Sequence, residues 1–282
     1  MSEEFEFDDN GPRVPDEKRA KEAVARFRPT NNLLTRGVIQ GVVLLSQWVM
    51  TRRNRLVLEG GERLRAHYDR GSRGKAEAGH PRGLLTFSNH VSILDDPLIV
   101  SNFGLGSYES VRWVAADAFN FFGDPLRGAF FGAGKCVPVV RGWGESQPGM
   151  DFLRERLRAG DWVHLFPEGG RTRDPQARLR MPFKSGIGRL LDETRPLALP
   201  YYHHGMAGVL PIHGRFFGSG QTVTVRFGDG VPISDAFVEE LAPGQSGRER
   251  WDALTRWTER TLTALQHEVR PELDGMPPAP SQ

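Results

Sequence analysis

A histidine and a carboxylate stand five positions apart in the segment Asn89-His90-Val91-Ser92-Ile93-Leu94-Asp95-Asp96-Pro97. An imidazole that acts as a general base needs a partner that fixes its tautomer and stabilises its positive charge. Asp95 can do this at Nδ1 of His90 and leave Nε2 available to take a proton. Because no serine or cysteine nucleophile is obvious nearby, we expect that proton to come from a substrate hydroxyl.

This pairing requires a particular backbone. On a straight helix His90 and Asp95 would lie about 140° apart around the axis, so they would not share one face. They meet if His90 follows a strand and Asp95 lies in the first turn of the next helix. Ser92 or Asn89 can cap such a helix, and Asp96 suits its positive N-terminus. The alternative interpretation is a chance spacing without chemistry.

A second segment ends a β-branched strand, predicted over 136–140, with Arg141 and then glycine. An arginine in this place can present its guanidinium fork to a phosphate, or it can be a surface side chain that ends the strand. The dipeptide Gly134-Lys135 does not form a P-loop motif. Ala129 stands where the first glycine is required, and Cys136 stands where a serine or threonine must hold magnesium.

A third segment, Phe166 to Arg173, predicts a tight turn after a strand. Gly169 lets the backbone approach a ligand closely, and Arg171 supplies positive charge for a phosphate. Glu168 can orient an arginine or a substrate hydroxyl; the alternative is a solvated turn with an internal ion pair. A fourth segment places Lys184, a rare residue in this chain, just before a glycine-spaced helix start.

Short apolar stretches alternate with stretches of helical periodicity along the chain. This alternation is typical of α/β proteins, so we predict one α/β domain with a mixed, mostly parallel sheet flanked by helices. The 282 residues suffice for one large core. The predicted strands are 83–88, 112–115, 136–140, 162–166, 197–202 and 222–227, and the predicted helices are 94–102, 149–159, 186–193 and 248–269.

The segment Gly37–Met50 carries no charge over fourteen positions. Because a membrane-spanning helix needs about 20 apolar residues, this segment is too short to cross a bilayer cleanly. Trp48 and the arginines that follow favour an interfacial helix, with its apolar face among acyl chains and its cations at the head groups. An ordinary buried helix is the alternative interpretation.

Composition limits the other possibilities. A net charge of +2 argues against a nucleic-acid partner, and the single Cys136 excludes an intrachain disulfide and fits a reducing compartment. The opening residues 2–9 hold five acids and no base, unlike a secretory signal. No Gly-x-Ser-x-Gly motif supports a serine esterase, and no His-Glu-x-x-His motif supports a zinc enzyme, although His203, His204 and His213 form a loose cluster. A non-catalytic membrane adaptor would leave the His90–Asp95 pair unexplained.

Taken in order, these segments resemble the four usual blocks of the glycerophospholipid acyltransferase family. The doubled aspartate makes the resemblance closer to the tafazzin branch, as do several further segments: 134–139, 160–164, 186–190 and 199–211. The similarity covers residues 35–235. In one respect the chain departs from tafazzin, because the third block continues Gly170-Arg171-Thr172-Arg173, which is nearer to the lysophosphatidate acyltransferase pattern.

The resemblance implies that His90, oriented by Asp95, deprotonates the hydroxyl of a lysophospholipid, whose oxygen then attacks an acyl carbonyl directly. If a phospholipid is the donor, the transacylation needs no cofactor and no metal. The alternative is a 1-acylglycerol-3-phosphate acyltransferase that uses acyl-CoA or acyl carrier protein. The resemblance assigns Arg141 and Arg171 to the glycerol phosphate, and the substrate-binding set it implies is Asn89, Ser92, Arg141, Glu168, Gly169, Arg171 and Lys184.

We therefore expect four regions: a disordered acidic tail over 1–30, a membrane-interface helix over 31–56, the acyltransferase domain over 57–270 and a flexible tail over 271–282. The partners expected are lysophospholipid and phospholipid substrates and a membrane surface. We expect a protein that lies on one leaflet and faces a reducing compartment, such as the cytoplasmic side of a bacterial inner membrane.

Overall fold

The computed structural model describes residues 16–71, 83–103, 111–212, 214 and 216–279. Its strands within these ranges are β1 Arg55–Glu59, β2 Leu84–Phe87, β3 Trp113–Asp117, β4 Cys136–Val139, β5 Trp162–Leu165, β6 Leu197–His204, β7 Thr222–Phe227 and β8 Val231–Pro232. They form one sheet in the order β1-β7-β6-β2-β5-β3-β4, and β8 pairs with β6.

Most neighbouring strands run parallel. Strand β2 is parallel to both β5 and β6, β3 is parallel to β4 and β5, and β1 is parallel to β7. Strands β7 and β8 run antiparallel to β6. The predicted mixed, mostly parallel α/β sheet is confirmed. Because the carboxyl ends of parallel strands meet at one edge, the loops after β2, β4 and β5 lie together there.

Helices cover both faces of the sheet. They are α1 Glu17–Ala25, α2 Leu33–Trp48, α3 Glu62–Gly71, α4 Ala118–Phe122, α5 Pro125–Ala133, α6 Pro148–Arg158, α7 Gly186–Thr194, α8 Met206–Val209, α9 Asp235–Leu241 and α10 Gly247–Val269. Short π-helical segments cover Val49–Arg53 and Asp96–Val100, and a 3-10 turn covers Pro271–Leu273.

Strand β2 shows how the sheet divides the core. Successive side chains of a strand point to opposite faces. Leu85 and Phe87 join the cluster built with apolar residues of α6, α7 and α10. Leu84 joins the cluster on the other face, with residues of the two π-helical segments. Being buried on both faces, β2 holds the loop that follows it on a rigid base.

Helices α7 and α10 approach each other closely at Gly188. A Cβ atom built there would lie 2.0 Å from the backbone oxygen of Trp251. Only glycine therefore fits without moving one of the two helices. This contact sets the position of α7, which begins next to Lys184.

The helix predicted over 94–102 is shorter in the structure. Helical geometry is confined to Asp96–Val100, because the amides that follow donate to carbonyls three residues back and form turns. Asn102 N–H donates to Ile99 O at 3.0 Å and Phe103 N–H donates to Val100 O at 3.1 Å. The tightening buries the ring of Phe103 in the core.

The apolar N-terminal helix is longer than its uncharged stretch. Helix α2 and the π-helical segment after it run continuously over Leu33–Arg53, 21 residues, because Leu33 and Leu34 extend it beyond the arginine at position 36. This is one helix long and apolar enough to cross a membrane by length and composition. It therefore passes the length criterion that the fourteen-residue run alone did not meet. Leu34 is 76% exposed, and only Thr35, Ile39 and Ser46 of α2 are buried.

Within the regions predicted as tails, over 1–30 and 271–282, the described residues include helix α1 and a 3-10 turn. Helix α1 buries Ala20 and Ala23 against Phe122 and Val140. At the other end Leu273 is buried, and Ala279 pairs with Arg180 in an isolated β-bridge. Small or apolar side chains in otherwise polar stretches hold these segments on the domain. Residues 1–15 and 280–282 lie outside the described residues.

Candidate active site

The candidate site lies at the carboxyl ends of β2 and its two neighbours. Phe87 is in register with Leu165 on β5 and with Pro200 on β6. Residues that follow these strands therefore lie side by side, among them His90 after β2 and Glu168 after β5. The sheet brings together side chains that are 78 positions apart in the chain.

His90 and Asp95 meet as the motif predicts. Nδ1 of His90 lies 3.0 Å from Oδ2 of Asp95. The same carboxylate oxygen accepts the backbone N–H groups of Val91 at 2.6 Å and Ser92 at 2.8 Å. The Asp95 side chain thus folds back over the loop after β2 and fixes both the loop and the imidazole.

The surroundings keep Asp95 ionised. Burial alone would raise the pKa of this carboxyl, which is only 1% exposed. The adjacent His203 imidazole, the hydrogen bond with His90 and the Ser92 N–H outweigh that effect, so the pKa of Asp95 lies below its usual value. A carboxylate accepts hydrogen bonds only, so Nδ1 of His90 carries a hydrogen and Nε2 is the basic nitrogen.

The imidazole ring of His90 is held from a second side. Phe166, the first residue after β5, stacks on it with ring centroids 4.0 Å apart and an interplanar angle of 16°. The His90 side chain is still 17% exposed, and it lines a large cavity. A general base needs this combination of a fixed ring and access to substrate.

Glu168 has a different position from the one expected of a substrate-binding residue. One carboxyl oxygen accepts the His90 N–H at 2.7 Å, and the other accepts the Arg180 N–H at 2.8 Å. The residue is 1% exposed, while its neighbours on either side line the cavity. Glu168 therefore joins the loop after β2 to the segment before α7.

Glu168 also gives the protein a pH-dependent stability. Burial raises its pKa from the ordinary 4.5 to about 8, although two backbone N–H groups act in the opposite direction. The folded state then binds one more proton than the unfolded state between pH 4.5 and 8. Stability falls as pH rises through this window, by up to about 1.4 kcal/mol per pH unit for one fully coupled proton.

We expect Glu168→Gln to remove that slope. Urea unfolding at pH 5, 6, 7 and 8 measures it, and the exposed Glu240→Gln variant is the matched control. Wild type and the control should lose stability as the pH rises, whereas Glu168→Gln should lose less over the same range. Identical pH dependence in all three proteins would show that Glu168 does not carry the proton.

Asn89 and Ser92 also lie away from the cavity wall, contrary to the expected substrate contact. Both the oxygen and the nitrogen of the Asn89 amide bond the backbone of His203: the oxygen accepts the N–H at 2.9 Å and the nitrogen donates to the C=O at 2.9 Å. Ser92 is 1% exposed, and its hydroxyl accepts the Leu94 N–H at 3.4 Å. Both residues shape the loop that carries His90.

Arginines gather at one end of the cavity. Arg141 follows β4, and its Nε lies 3.1 Å from Oδ2 of Asp117 at the end of β3. A Cβ atom built on Gly170 would lie 3.3 Å from Nη1 of Arg180 and 3.9 Å from Nη2 of Arg141, so both guanidinium groups flank this glycine. Arg171 is 6% exposed and also lines the cavity. Arg180 was missed from sequence because it stands in an irregular segment without a motif.

Lys184 closes this cationic end. Gly169 has φ of +71°, and a Cβ there would lie 2.8 Å from Cγ of Lys184. The glycine therefore permits both the turn and the passage of the lysine stem across it. Lys184 lines the cavity directly before α7. Of the expected substrate-binding residues, Arg141, Gly169, Arg171 and Lys184 share one wall.

The cavity has about 1550 Å³ and a lining of two contrasting kinds. The cationic end holds the arginines and Lys184. Helices α2 and α5, which pack together, add apolar lining from Val38, Ile39, Val42, Val43, Phe130 and Phe131. Since pockets for drug-sized molecules occupy about 300–1,000 Å³, this space suits a larger amphipathic molecule with an anionic group.

Comparison with known proteins agrees with this geometry. A family model described as Acyltransferase matches residues 61–204, about half of the chain. The chain belongs to the acyltransferase family. The matched region contains the whole first, second and third blocks, with His90, Asp95, Arg141 and Glu168.

Individual relatives confirm the resemblance to the tafazzin branch. The chain is 36% identical to tafazzin of Drosophila melanogaster over 173 residues, which are 58% of this chain and 45% of that protein. It is 34% identical to the Dictyostelium discoideum protein named taffazin over 194 residues, 65% of this chain and 64% of that one. It is also 40% identical to N-acylphosphatidylethanolamine synthase of Arabidopsis thaliana over 133 residues, 45% and 46% of the two chains. The chain thus spans about half to just under two thirds of these relatives.

One solved structure supports the fold of this acyltransferase. It is the 1-acyl-sn-glycerophosphate acyltransferase of Thermotoga maritima, with a TM-score of 0.52 at 18% identity, covering 84% of this chain and 80% of that one. At this identity the match supports the fold alone.

The second aspartate of the acyltransferase motif has a contact beyond the expected one. Asp96 lies in the first turn of the helical segment, as predicted. Its oxygens also take the guanidinium of Arg112, with Nε to Oδ1 at 2.6 Å and a second bond from Nη2 to Oδ2. Both residues are more than nine-tenths buried. Arg112 also donates to Gly134 O at 3.1 Å, so the pair ties the motif to the turn before β4.

The histidines near β6 do not converge as a zinc site would require. His203 is buried, whereas His204, the next residue on the strand, is exposed. Within the part of the chain that the structure describes, no three His, Cys, Asp or Glu residues are grouped so as to hold a metal ion. His213 of the predicted loose cluster lies outside the described residues.

Proposed function

We propose that the protein is a membrane-associated O-acyltransferase that moves a fatty acyl group from a phospholipid to the hydroxyl of a lysophospholipid. The observation that carries this proposal is the His90–Asp95 pair, of which His90 lines a cavity that also has apolar lining and a cluster of cations. Nδ1 of His90 is occupied by Asp95, so Nε2 is the nitrogen that remains for a substrate hydroxyl. The similarity to tafazzins supports a phospholipid as the acyl donor.

The proton moves from one lipid to the other through His90. Nε2 takes the hydroxyl proton of the lysophospholipid as its oxygen attacks the ester carbonyl of the donor. The resulting imidazolium is stabilised by the Asp95 carboxylate. When the tetrahedral intermediate collapses, the bond to the donor's glycerol oxygen breaks and Nε2 returns the proton to that oxygen. One ester is formed for each ester cleaved, so the reaction needs no cofactor and no metal.

The cationic end of the cavity provides the counter-charge for the lipid phosphate. Arginine forks form strong, directional hydrogen bonds with phosphate oxygens, and two guanidinium groups flank Gly170. The hydroxyl that reacts is then positioned relative to His90 by the phosphate. Positioning of this kind contributes a large part of the rate enhancement in reactions between two bound molecules.

Loss of Arg141 tests the phosphate site. We expect Arg141→Ala to raise the apparent KM for a lysophospholipid about tenfold or more, as for one lost hydrogen bond to a charged group. A monoacylglycerol acceptor without a phosphate should show no such shift. Arg158→Ala, in an exposed ion pair with Glu155 at 3.0 Å, is the control. An unchanged KM for the lysophospholipid would remove Arg141 from the phosphate site.

The alternative donor is a thioester. The sequence Gly170-Arg171-Thr172-Arg173 resembles that of lysophosphatidate acyltransferases, which favours acyl-CoA or acyl carrier protein as donor and 1-acylglycerol-3-phosphate as acceptor. In that reaction the leaving thiolate would take the proton from His90, and the same residues would otherwise act in the same way.

A radiolabelled acyl-exchange assay distinguishes the two donors. Purified protein is given labelled phosphatidylcholine and an unlabelled lysophospholipid, with and without acyl-CoA or acyl carrier protein thioester. Transacylation predicts label in the product without any thioester. Transfer that depends strictly on the thioester would establish the alternative, and no transfer with either donor would leave a non-catalytic membrane adaptor.

Exposed apolar side chains indicate the surface that meets the membrane. Helix α2 packs beside α5, and the two helices expose Leu33, Leu34, Leu44, Leu45, Leu126 and Phe130. Leu45 and Phe130 also line the cavity, so the apolar surface continues into it. A lipid can then pass from a leaflet into the cavity without crossing water. Although Leu33–Arg53 meets the length criterion for a membrane span, α2 packs against α5 and lines the cavity, so we infer a monotopic association with one leaflet.

Membrane binding should depend on Leu126, which is 80% exposed. We expect Leu126→Asp to weaken binding to phosphatidylcholine–phosphatidylglycerol vesicles about tenfold or more, because burial of a leucine contributes roughly 1.5–3 kcal/mol. Leu126→Phe should bind like wild type. Co-sedimentation in high salt measures this, and complete release of the wild type by salt would favour electrostatic attachment alone.

A further inference from the structure

His203 is a buried titratable residue that the proposed reaction does not use. It lies near the end of β6, beside the loop after β2, and is 1% exposed. The Asn89 side chain holds its backbone on both sides through the N–H and the C=O, each at 2.9 Å. The imidazole therefore has a fixed place directly under the His90 loop.

Two oxygens surround Nε2 of His203. The backbone oxygen of Asn89 lies 3.0 Å away, and Oδ2 of Asp95 lies 3.5 Å away. A backbone carbonyl only accepts hydrogen bonds, so Nε2 must carry the hydrogen. Nδ1 is buried and has no hydrogen-bond partner among the described residues. These contacts define a neutral imidazole with its hydrogen on Nε2.

Oδ2 of Asp95 consequently lies between two imidazoles. His90 contacts it from the cavity side at 3.0 Å and His203 from the interior at 3.5 Å. A neutral N–H dipole attracts the carboxylate without introducing a positive charge that would compete for it. The hydrogen bond from His203 to the Asn89 carbonyl fixes this dipole next to Asp95, whose hydrogen-bond donors are Val91 and Ser92 on the same loop and His90.

We propose that His203 is a positioning residue of the catalytic pair: its neutral Nε2–H holds the Asn89 carbonyl of the His90 loop and places its N–H dipole 3.5 Å from the Asp95 carboxylate that supports His90. The inference rests on the proposed acyl transfer through His90. It gives a role to His203 of the segment 199–211, which resembles the tafazzin branch and had no assigned function. Since His203 does not line the cavity, its effect should fall on the chemical step and not on lipid binding.

Two substitutions separate the donor from the bulk of the side chain. His203→Met removes the N–H and keeps an apolar chain of similar length, and His203→Gln keeps an N–H donor at similar reach. We expect His203→Met to lower kcat roughly tenfold, because the buried Asn89 carbonyl loses its donor and Asp95 loses the neighbouring N–H dipole, with KM for the lysophospholipid changed less than threefold. His203→Gln should recover most of the loss. Equal kcat in wild type and His203→Met would overturn the proposal.

A double-variant cycle adds a readout that a purely structural role would not produce. If His203 acts through Asp95, then His203→Met should lower kcat little further in a protein that already carries Asp95→Asn. If the two residues act independently, the two fold-losses in kcat should multiply. Multiplicative losses would contradict the proposal.

The tautomer can be measured in the wild-type protein, should His203→Met fail to fold. Nitrogen-15 NMR of protein with labelled histidines should show a neutral His203 with its hydrogen on Nε2 at pH 7. The His203 signals are identified as those absent from the spectrum of His203→Gln. An Nδ1–H tautomer or an imidazolium would overturn the proposal. If the wild type transfers no acyl group at all, the proposed function fails, while the NMR result still reports the contact.

Discussion

Acyl transfer should be almost abolished in His90→Ala, while the protein remains folded. General base catalysis by a positioned side chain contributes about 10²–10⁴-fold, and alanine leaves no group that can take the hydroxyl proton. The fold should tolerate the change because Asp95 keeps the N–H donors of Val91 and Ser92. Exchange of labelled acyl groups between lipids measures the loss, and thermal unfolding verifies the fold.

His204→Ala is the matched control for this variant, since it removes an exposed imidazole at the end of β6 near the same sheet edge. It should transfer acyl groups like wild type. Turnover of His90→Ala within a few-fold of the wild type would refute the base mechanism and, with it, the role of the Asp95 pair.

The largest loss of stability should come from Asp96→Ala. This substitution leaves the Arg112 guanidinium buried without its carboxylate, and removal of one partner of a buried ion pair costs about 3–5 kcal/mol. The free energy of unfolding, measured by urea titration, should fall by that amount. The exposed pair between Arg195 and Asp235 offers a control, because Asp235→Ala should cost no more than about 1 kcal/mol.

A double variant separates the buried charge from the lost contact. Asp96→Leu combined with Arg112→Met replaces the pair with apolar side chains, which are often neutral or stabilising in such places. We expect it to recover a substantial part of the stability lost in Asp96→Ala. Equal losses in the single and double variants would mean that the contacts of Arg112 with its surroundings, and not its unpaired charge, cause the effect.

Local patterns predicted the parts of the fold that depend on local sequence. Each predicted strand is present within about two residues of its expected limits, because buried parallel strands have an apolar, β-branched signature. The His90–Asp95 pair was predictable for the same reason, since five positions of chain bring the two side chains together. Strand β1 was not predicted, because the charged residues Arg55 and Glu59 at its ends leave only a short apolar stretch. Its partner strand β7 lies more than 160 residues further along the chain.

The roles that could not be predicted depend on contacts across the sheet. Asp96 finds Arg112 sixteen residues on, and Glu168 finds two backbone N–H groups on different loops. No spacing in the sequence reports such contacts. A carboxylate in a turn beside arginines suggests an ion pair or a substrate contact, yet the fold uses Glu168 in its interior. The contact of His203 with the Asn89 carbonyl across the sheet could not be predicted for the same physical reason.

The Glu168 bridge has a consequence for the choice of substrate. It connects the backbone of His90 with that of Arg180 through two short hydrogen bonds, so the proposed base and the cationic cluster keep their separation before any lipid arrives. The entropic cost of assembling them is met during folding and is not repeated at each turnover. A fixed separation also selects by molecular dimension. For the proposed reaction we therefore expect a preference for acceptors whose phosphate and free hydroxyl match this separation, and slower transfer to acceptors with a longer or shorter spacer.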